Sequence, residues 1–430
     1  MLLAALAFSL LVLTVAFGRK IAEYDTIISP VSMFGLSIAY YLFSIPLEIS
    51  VTGRRLIQVS DRHIYINTNT GYEIVSYGLV AFLSFSLAYV FVLDKSRRFS
   101  PAVAFQSMQP DLRWVLLVAT IGFSAMVIIL FPSDLFAAST YAGNVSVSYA
   151  NPVFAILRTF AVLSYGLFIF CSSLHGGWGP ARTVAAAAPI AAYGLYFSDK
   201  DPFLIGALSA AGALLAKPGT STSTPRLALG LVVAVPFLGV AVAAFSGYRG
   251  QSRDVLAYAR QVGFFSSADP AGPMYSLSVA SNEGVHDRFA GLAHILESFT
   301  LWIPRSLWPS RPLDLSEEFA RTHMSGWRPG MGYGYSLVAE GISLAGWAGV
   351  VVVFALLGVL IGLVRNWLLR PGPGGSRRQL GYATSFVGMG AVSFLSLRGP
   401  LSGSISLIVH TLAFYSIISA ALWVTRRRRP

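Results

Sequence analysis

A single cysteine, Cys171, stands in 430 residues, which excludes an intramolecular disulfide framework and any cysteine-rich metal site. It lies inside an apolar run, the setting of a buried, inert thiol. Charge is scarce too: Asp, Glu, Lys and Arg make up 12% of the chain, about half the share of an ordinary soluble domain. Acids are the scarcer sign, 19 against 31 Lys and Arg. The six histidines (63, 175, 286, 294, 323 and 410) are scattered without metal-ligand spacing. Also missing are a phosphate-binding G-x-x-x-x-G-K-[ST], a strand-borne dinucleotide fingerprint, an HExxH and a G-x-S-x-G. These absences argue against a nucleotide-driven, cofactor-dependent or metal-dependent enzyme. Any chemistry must draw its energy from an activated substrate, one carried by a lipid.

What the chain has in quantity is apolar sequence. It is 55% hydrophobic, with a mean hydropathy of +0.64, and carries 40 Gly and 22 Pro, which membrane helices tolerate. Apolar runs fall near 2–17, 28–47, 74–93, 114–131, 153–172, 183–197, 203–216, 227–246, 345–364, 380–397 and 404–424. Most approach the ~20 residues that cross ~30 Å of hydrocarbon. This predicts an all-α polytopic membrane protein with about 11 transmembrane helices. The first run has no basic residue before it and no clear cleavage site after it, so it reads as a retained helix.

The formal charge of +12 is explained by where the basic residues fall. One set of alternate loops holds Arg19, Lys20, Lys95, Arg97, Arg98, Arg113, Arg182, Lys217, Arg226, Arg365, Arg370, Arg377, Arg378 and Arg426 to Arg429. Against these stand only Glu23, Asp25, Asp94 and Asp111. The positive-inside rule makes that side cytoplasmic, with the C-terminus inside and the N-terminus outside. No nucleic-acid surface is needed to account for the charge. The same orientation divides the chain into N-terminal membrane helices (1–246), a large extracytoplasmic loop (247–344) and C-terminal membrane helices (345–430).

Loops as long as 247–344 are uncommon and usually functional. Within it, Phe289 to Ile303 has apolar residues at helical spacing beside a polar stripe. That predicts an amphipathic helix, ended by Pro304, lying on the membrane or roofing a cavity. The loop's eight basic residues are all Arg: 249, 253, 260, 288, 305, 311, 321 and 328. Arginine suits two-pronged contact with phosphate oxygens, so Arg249, Arg253, Arg288, Arg305, Arg311 and Arg321 are candidate ligands for an anionic substrate. A solvated loop balanced by its own acids would look the same. Arg158, mid-span in the fifth run, is either paired with a neighbouring acid or placed at the floor of a polar cavity. Asp199 and Asp201 form a turn or join that site. His294 and Glu297 are i, i+3 neighbours able to share a proton, and Glu340 precedes the apolar run at 345.

Two stretches carry a resemblance: Trp302-Ile-Pro-Arg-Ser-Leu-Trp-Pro-Ser-Arg-Pro312, and Gly330-Met-Gly-Tyr-Gly-Tyr-Ser-Leu-Val-Ala-Glu-Gly-Ile-Ser-Leu-Ala-Gly-Trp-Ala-Gly349. Together they resemble the bacterial oligosaccharide repeat-unit polymerases, the Wzy group of O-antigen and exopolysaccharide synthesis. The matching positions are Pro304, Arg305, Pro309, Pro312, Gly334, Glu340, Gly346 and Gly349, and Arg321 stands eleven residues before Gly332. The resemblance implies a GT-C-like, metal-independent glycosyltransferase of the bacterial inner membrane. It would use undecaprenyl-diphosphate-linked oligosaccharide as donor and acceptor, with a chain-length regulator protein as partner. Glu340, His294 and Glu297 would do acid–base work, and the arginines, Arg158 included, would hold the substrate. An O-antigen ligase shares donor and side but passes the glycan elsewhere. A flippase or transporter would show an internal repeat and several midplane charges.

Overall fold

The computed structural model describes residues 29–53, 56–59, 62–66, 68–93, 110–132, 151–174, 201–216, 265, 271–283, 292–303, 305, 307–323, 327, 332, 334–370 and 375–427. The regular structure among these residues is helical apart from one short antiparallel hairpin. Helix α1 (Pro30–Ile38) passes through a π-helical stretch (Ala39–Phe43) into α2 (Ser44–Thr52). Strands β1 (Leu56–Val59) and β2 (Arg62–Tyr65) follow, pairing Leu56 with Tyr65 and Val59 with Arg62. The hairpin lies between the first two described apolar runs, where the hydrophobic pattern predicts no element. Then come α3 (Thr68–Val92), α4 (Pro110–Leu130), α5 (Pro152–Leu174), α6 (Asp201–Ala216), α7 (Ala271–Glu283), α8 (Leu292–Ser298) and α9 (Leu315–His323). The chain closes with α10 (Leu337–Leu368), α11 (Gly375–Leu395), a 3-10 turn (Ser396–Arg398) and α12 (Leu401–Arg427).

Seven of these helical segments are long and apolar enough to cross a membrane. They correspond to the runs expected at 28–47, 74–93, 114–131, 153–172, 345–364, 380–397 and 404–424. Helix α6, at 16 residues, spans roughly 24 Å, short of a full crossing. The runs at 2–17, 183–197 and 227–246 lie outside the described residues.

Burial and hydropathy run in opposite directions in α4 and α11. Of its most apolar window, α4 buries 28% at a mean hydropathy of 2.1, whereas α11 buries 94% at 1.4. A helix facing lipid must be apolar, while one surrounded by protein can carry Ser385 and Ser393, whose hydroxyls donate to the carbonyls of Tyr382 and Met389. The lipid-facing side shows plainly on α3, where Leu83, Leu87 and Phe91 form an exposed i, i+4, i+8 stripe. Its other side packs on α10 through Gly358 and Gly362; a Cβ on Gly358 would lie 2.4 Å from the Phe85 carbonyl oxygen. Small residues four apart let helices approach this closely, and Asn366 Nδ2 donates to the Val92 carbonyl at 2.8 Å to fix the pair.

Candidate functional site

Helix α10 contains a sharp break that creates the site's first wall. Gly346 adopts φ 60°, ψ −135°, next to a non-helical Ala345, a backbone region accessible essentially to glycine alone. The short segment 337–344 therefore stands apart from the long helix 347–368. Gly341 and Gly349 let the two pieces meet: a Cβ on Gly349 would lie 2.0 Å from the Gly341 carbonyl oxygen. These glycines admit the chain's own backbone.

Glu340 sits on that short segment with no exposed surface. Ser336 caps it by accepting from Val338 N–H at 3.2 Å, and Ser336 N–H itself donates to Ser276 Oγ of α7 at 2.9 Å. Tyr335 and Ser343 share a hydrogen bond at 3.1 Å across the same turn. Gly334, at φ 71°, brings the chain in beside the Arg398 carbonyl oxygen. So positioned, Glu340 has both oxygens engaged. Leu401 N–H, at the start of α12, donates to Oε2 at 2.6 Å, and His294 Nε2 lies 3.0 Å from Oε1. A buried carboxylate is costly unless paired and hydrogen-bonded. Here an imidazole and the positive end of a 27-residue helix supply both.

His294 comes from α8, which ends short of the Ile303 expected as the end of the amphipathic helix over 289–303. The helix stops at Ser298 and passes into tight turns in which Thr300 N–H donates to Glu297 O and Ile303 N–H to Thr300 O. The reason is local competition for carbonyls. Ser298 Oγ donates to His294 O, Thr300 Oγ1 to Glu297 O, and Arg311 Nη1 to the carbonyls of Leu301 and Ile303. Pro304, the expected terminator, lies outside the described residues. Ile295 is buried and α8 packs beside α12, so the segment covers the N-terminal end of that helix.

The imidazole lies between two carboxylates. Its Nδ1 is 3.7 Å from Glu297 Oε2, a charge contact longer than a hydrogen bond, and Glu297 reaches the surface at 39% exposure. Burial works to lower the His294 pKa, but Glu340 and Glu297 together outweigh it and hold it above the usual 6.5. A raised folded-state pKa stabilises the fold fully below the unfolded value near 6.5, and that contribution fades as pH rises through the folded value. Thermal unfolding followed from pH 6 upward should show wild-type protein losing midpoint where His294→Gln does not. A parallel loss in both proteins would show that the pair does not titrate as described.

Beside this pair, Arg305 and Arg311 form a clamp. Arg305 donates to the carbonyls of Arg311 (2.7 Å) and Pro312 (3.1 Å) and to Glu317 Oε2 (3.4 Å). Asp314 caps α9 by accepting from Glu317 N–H at 2.8 Å, and burial raises the pKa of both carboxyls. Much of the guanidinium capacity expected to meet a substrate is thus turned on the main chain. Arg305→Lys should destabilise the protein by roughly 1–3 kcal/mol, because one ammonium cannot reach three acceptors in a fork. Thermal unfolding in detergent reads this, and an unchanged midpoint would remove the clamp.

The remaining candidates lie apart. Arg321 is 52% exposed and pairs with Glu318 at 3.1 Å. Arg158 falls in the second turn of α5 and not at mid-span, half-buried, where its long stem can lift the charge toward the helix end. Arg249, Arg253, Arg288 and Asp199 lie outside the described residues. Asp201, read from sequence as either a turn residue or a member of the polar site, opens α6 and pairs with Arg398 at 3.2 Å. Arg398 was not singled out by sequence, although Leu397-Arg398-Gly399-Pro400 does mark a charged turn between two apolar runs. It lies three residues from the N–H that holds Glu340. Comparison of the chain with family models, characterised proteins and solved structures finds no match.

Proposed function

We propose that this protein is a membrane glycosyltransferase polymerising undecaprenyl-diphosphate-linked oligosaccharide repeat units at the outer face of a bacterial inner membrane. The observation that carries the reading is the chain of groups Glu297–His294–Glu340–Leu401 N–H, running from the surface at Glu297 to the buried Glu340 at one end of the spanning helices. Together with the sequence resemblance at 302–312 and 330–349, it supports acid–base chemistry on a substrate arriving from lipid. In this reading the acceptor sugar hydroxyl meets Glu297, the surface member, which takes its proton. The hydroxyl oxygen bonds the donor's anomeric carbon as the bond from that carbon to the diphosphate oxygen breaks. The lipid diphosphate leaves as an anion. His294, held by buried Glu340, stands 3.7 Å behind Glu297 and can pass the proton on. Arg321, with Arg249, Arg253 and Arg288 of the same loop, offsets the leaving group's charge. The GT-C-like architecture and the inside C-terminus belong to the same proposal.

Purified protein given synthetic undecaprenyl-diphosphate-linked repeat units should produce a ladder of lengthening lipid-linked glycans. Transfer of single units to an acceptor that is not lipid-diphosphate-linked would point to a ligase. No transfer at all, with folded protein, would overturn the reading.

A further inference from the structure

At the opposite end of α12 from Glu340, roughly 33 Å along the helix from Leu401 to Trp423, a second feature has no part in this chemistry. A cleft of about 480 Å³ opens between the end of α10, the start of α11 and the end of α12. Its lining includes Trp367, Arg377, Tyr415, Ser416, Ser419 and Trp423. We propose that this cleft binds an anionic phospholipid, with the headgroup phosphate at Arg377 and an acyl chain running between Trp367 and Trp423.

Four observations support one occupant. First, the cleft lies at the ends of three membrane-length helices, and Trp367 and Trp423 are 40% and 55% exposed there. Tryptophan at that depth has an apolar body for acyl chain and an N–H for the headgroup layer. Second, Arg377 is exposed and, among the described residues, has no hydrogen bond or ion pair. It stands in the first turn of α11, where backbone N–H groups lack intrahelical acceptors and favour an anion. Third, Tyr415, Ser416 and Ser419 line the cleft, so its wall carries polar as well as apolar groups, as a lipid with a polar headgroup and an apolar tail requires. Fourth, the charge is one-sided. No Asp or Glu occurs after Glu340, while Arg365, Arg370, Arg377, Arg378 and Arg426 to Arg429 all fall near this end in sequence. A basic, aromatic-rimmed pocket between helix ends matches a phosphodiester headgroup and its tail.

The test uses full-length protein in vesicles of phosphatidylcholine, alone or mixed with phosphatidylglycerol, with one lipid at a time carrying brominated acyl chains that quench tryptophan. Brominated phosphatidylglycerol should quench more than brominated phosphatidylcholine at equal mole fraction. Arg377→Gln should reduce that preference about fivefold, the loss of one arginine's attraction for an anionic surface. Arg370→Gln, which removes the same charge outside the cleft lining, should leave it nearly intact. Equal quenching by the two lipids in wild type, or equal loss in both variants, overturns the proposal. If Arg377→Gln does not fold, Trp367→Phe/Trp423→Phe must abolish the lipid-specific part of the quenching, and its persistence also overturns the proposal.

Discussion

Glu340→Gln is expected to insert and fold yet lose chain growth by a factor on the order of 10²–10⁴, the range for removing a positioned acid–base component. Glutamine fills nearly the same volume, and its carbonyl oxygen can still accept from Leu401 N–H. The other oxygen becomes an amide NH₂, a donor facing His294 Nε2, which lies 3.0 Å away. The imidazole must then present Nε2 as acceptor, so its proton shifts to Nδ1, beside Glu297. Charge at the centre of the chain is lost and the tautomer inverted, while packing survives. Glu340→Ala differs in kind. It leaves both the imidazole and the helix N–H without their buried partner, and removing one partner of such a pair destabilises by about 3–5 kcal/mol. Detergent thermal unfolding separates the two variants, and polymer length per folded molecule reads activity. Wild-type ladders from Glu340→Gln would remove Glu340 from the chemistry and leave it a structural anchor.

The second large effect concerns the break in α10. Gly349→Ala should prevent the native arrangement of segment 337–344, because the new Cβ would meet the Gly341 carbonyl oxygen at 2.0 Å and the neighbour is main chain. Neither piece can yield without moving Glu340 away from Leu401. The expected outcome is little folded protein, and inactive material where some folds. Gly346→Ala is the informative contrast. Nothing lies within 4 Å of its would-be Cβ, so its penalty is backbone strain alone, of order 1–3 kcal/mol. That protein should fold with a lowered midpoint. Equal stability of Gly349→Ala and wild type would show that the corner is not built as described.

Membrane character, and most of the helices, could be read from sequence because each depends on a local quantity. An apolar run near twenty residues long makes a spanning segment whatever its neighbours do, and α3, α4, α5, α11 and α12 fall where their runs lie. Glu340, His294 and Glu297 were legible as candidates because a titratable group beside apolar helix is rare enough to stand out. Their arrangement was not. The i, i+3 pairing of His294 with Glu297 suggests one partner, whereas the closer contact is Glu340, 46 residues away. Sequence spacing carries information about contacts along a single helix but none about contacts between elements.

The same limit explains the arginines. Composition marks Arg305 and Arg311 as anion-binding types, and the guanidinium fork suits a carbonyl pair as well as a phosphate. Only the fold of 299–317, which brings carbonyls within 3.1 Å of Arg305, decided between them. By itself, then, the sequence determined a helical membrane protein and a short roster of titratable residues, since hydropathy and charge are summed along the chain. Tertiary structure alone decided that Glu340 ends against the first N–H of α12 and that a glycine corner holds it there. Both depend on positive-φ backbone and on contacts across 61 residues of sequence, where burial and hydrogen bonding, not local propensity, set the energy.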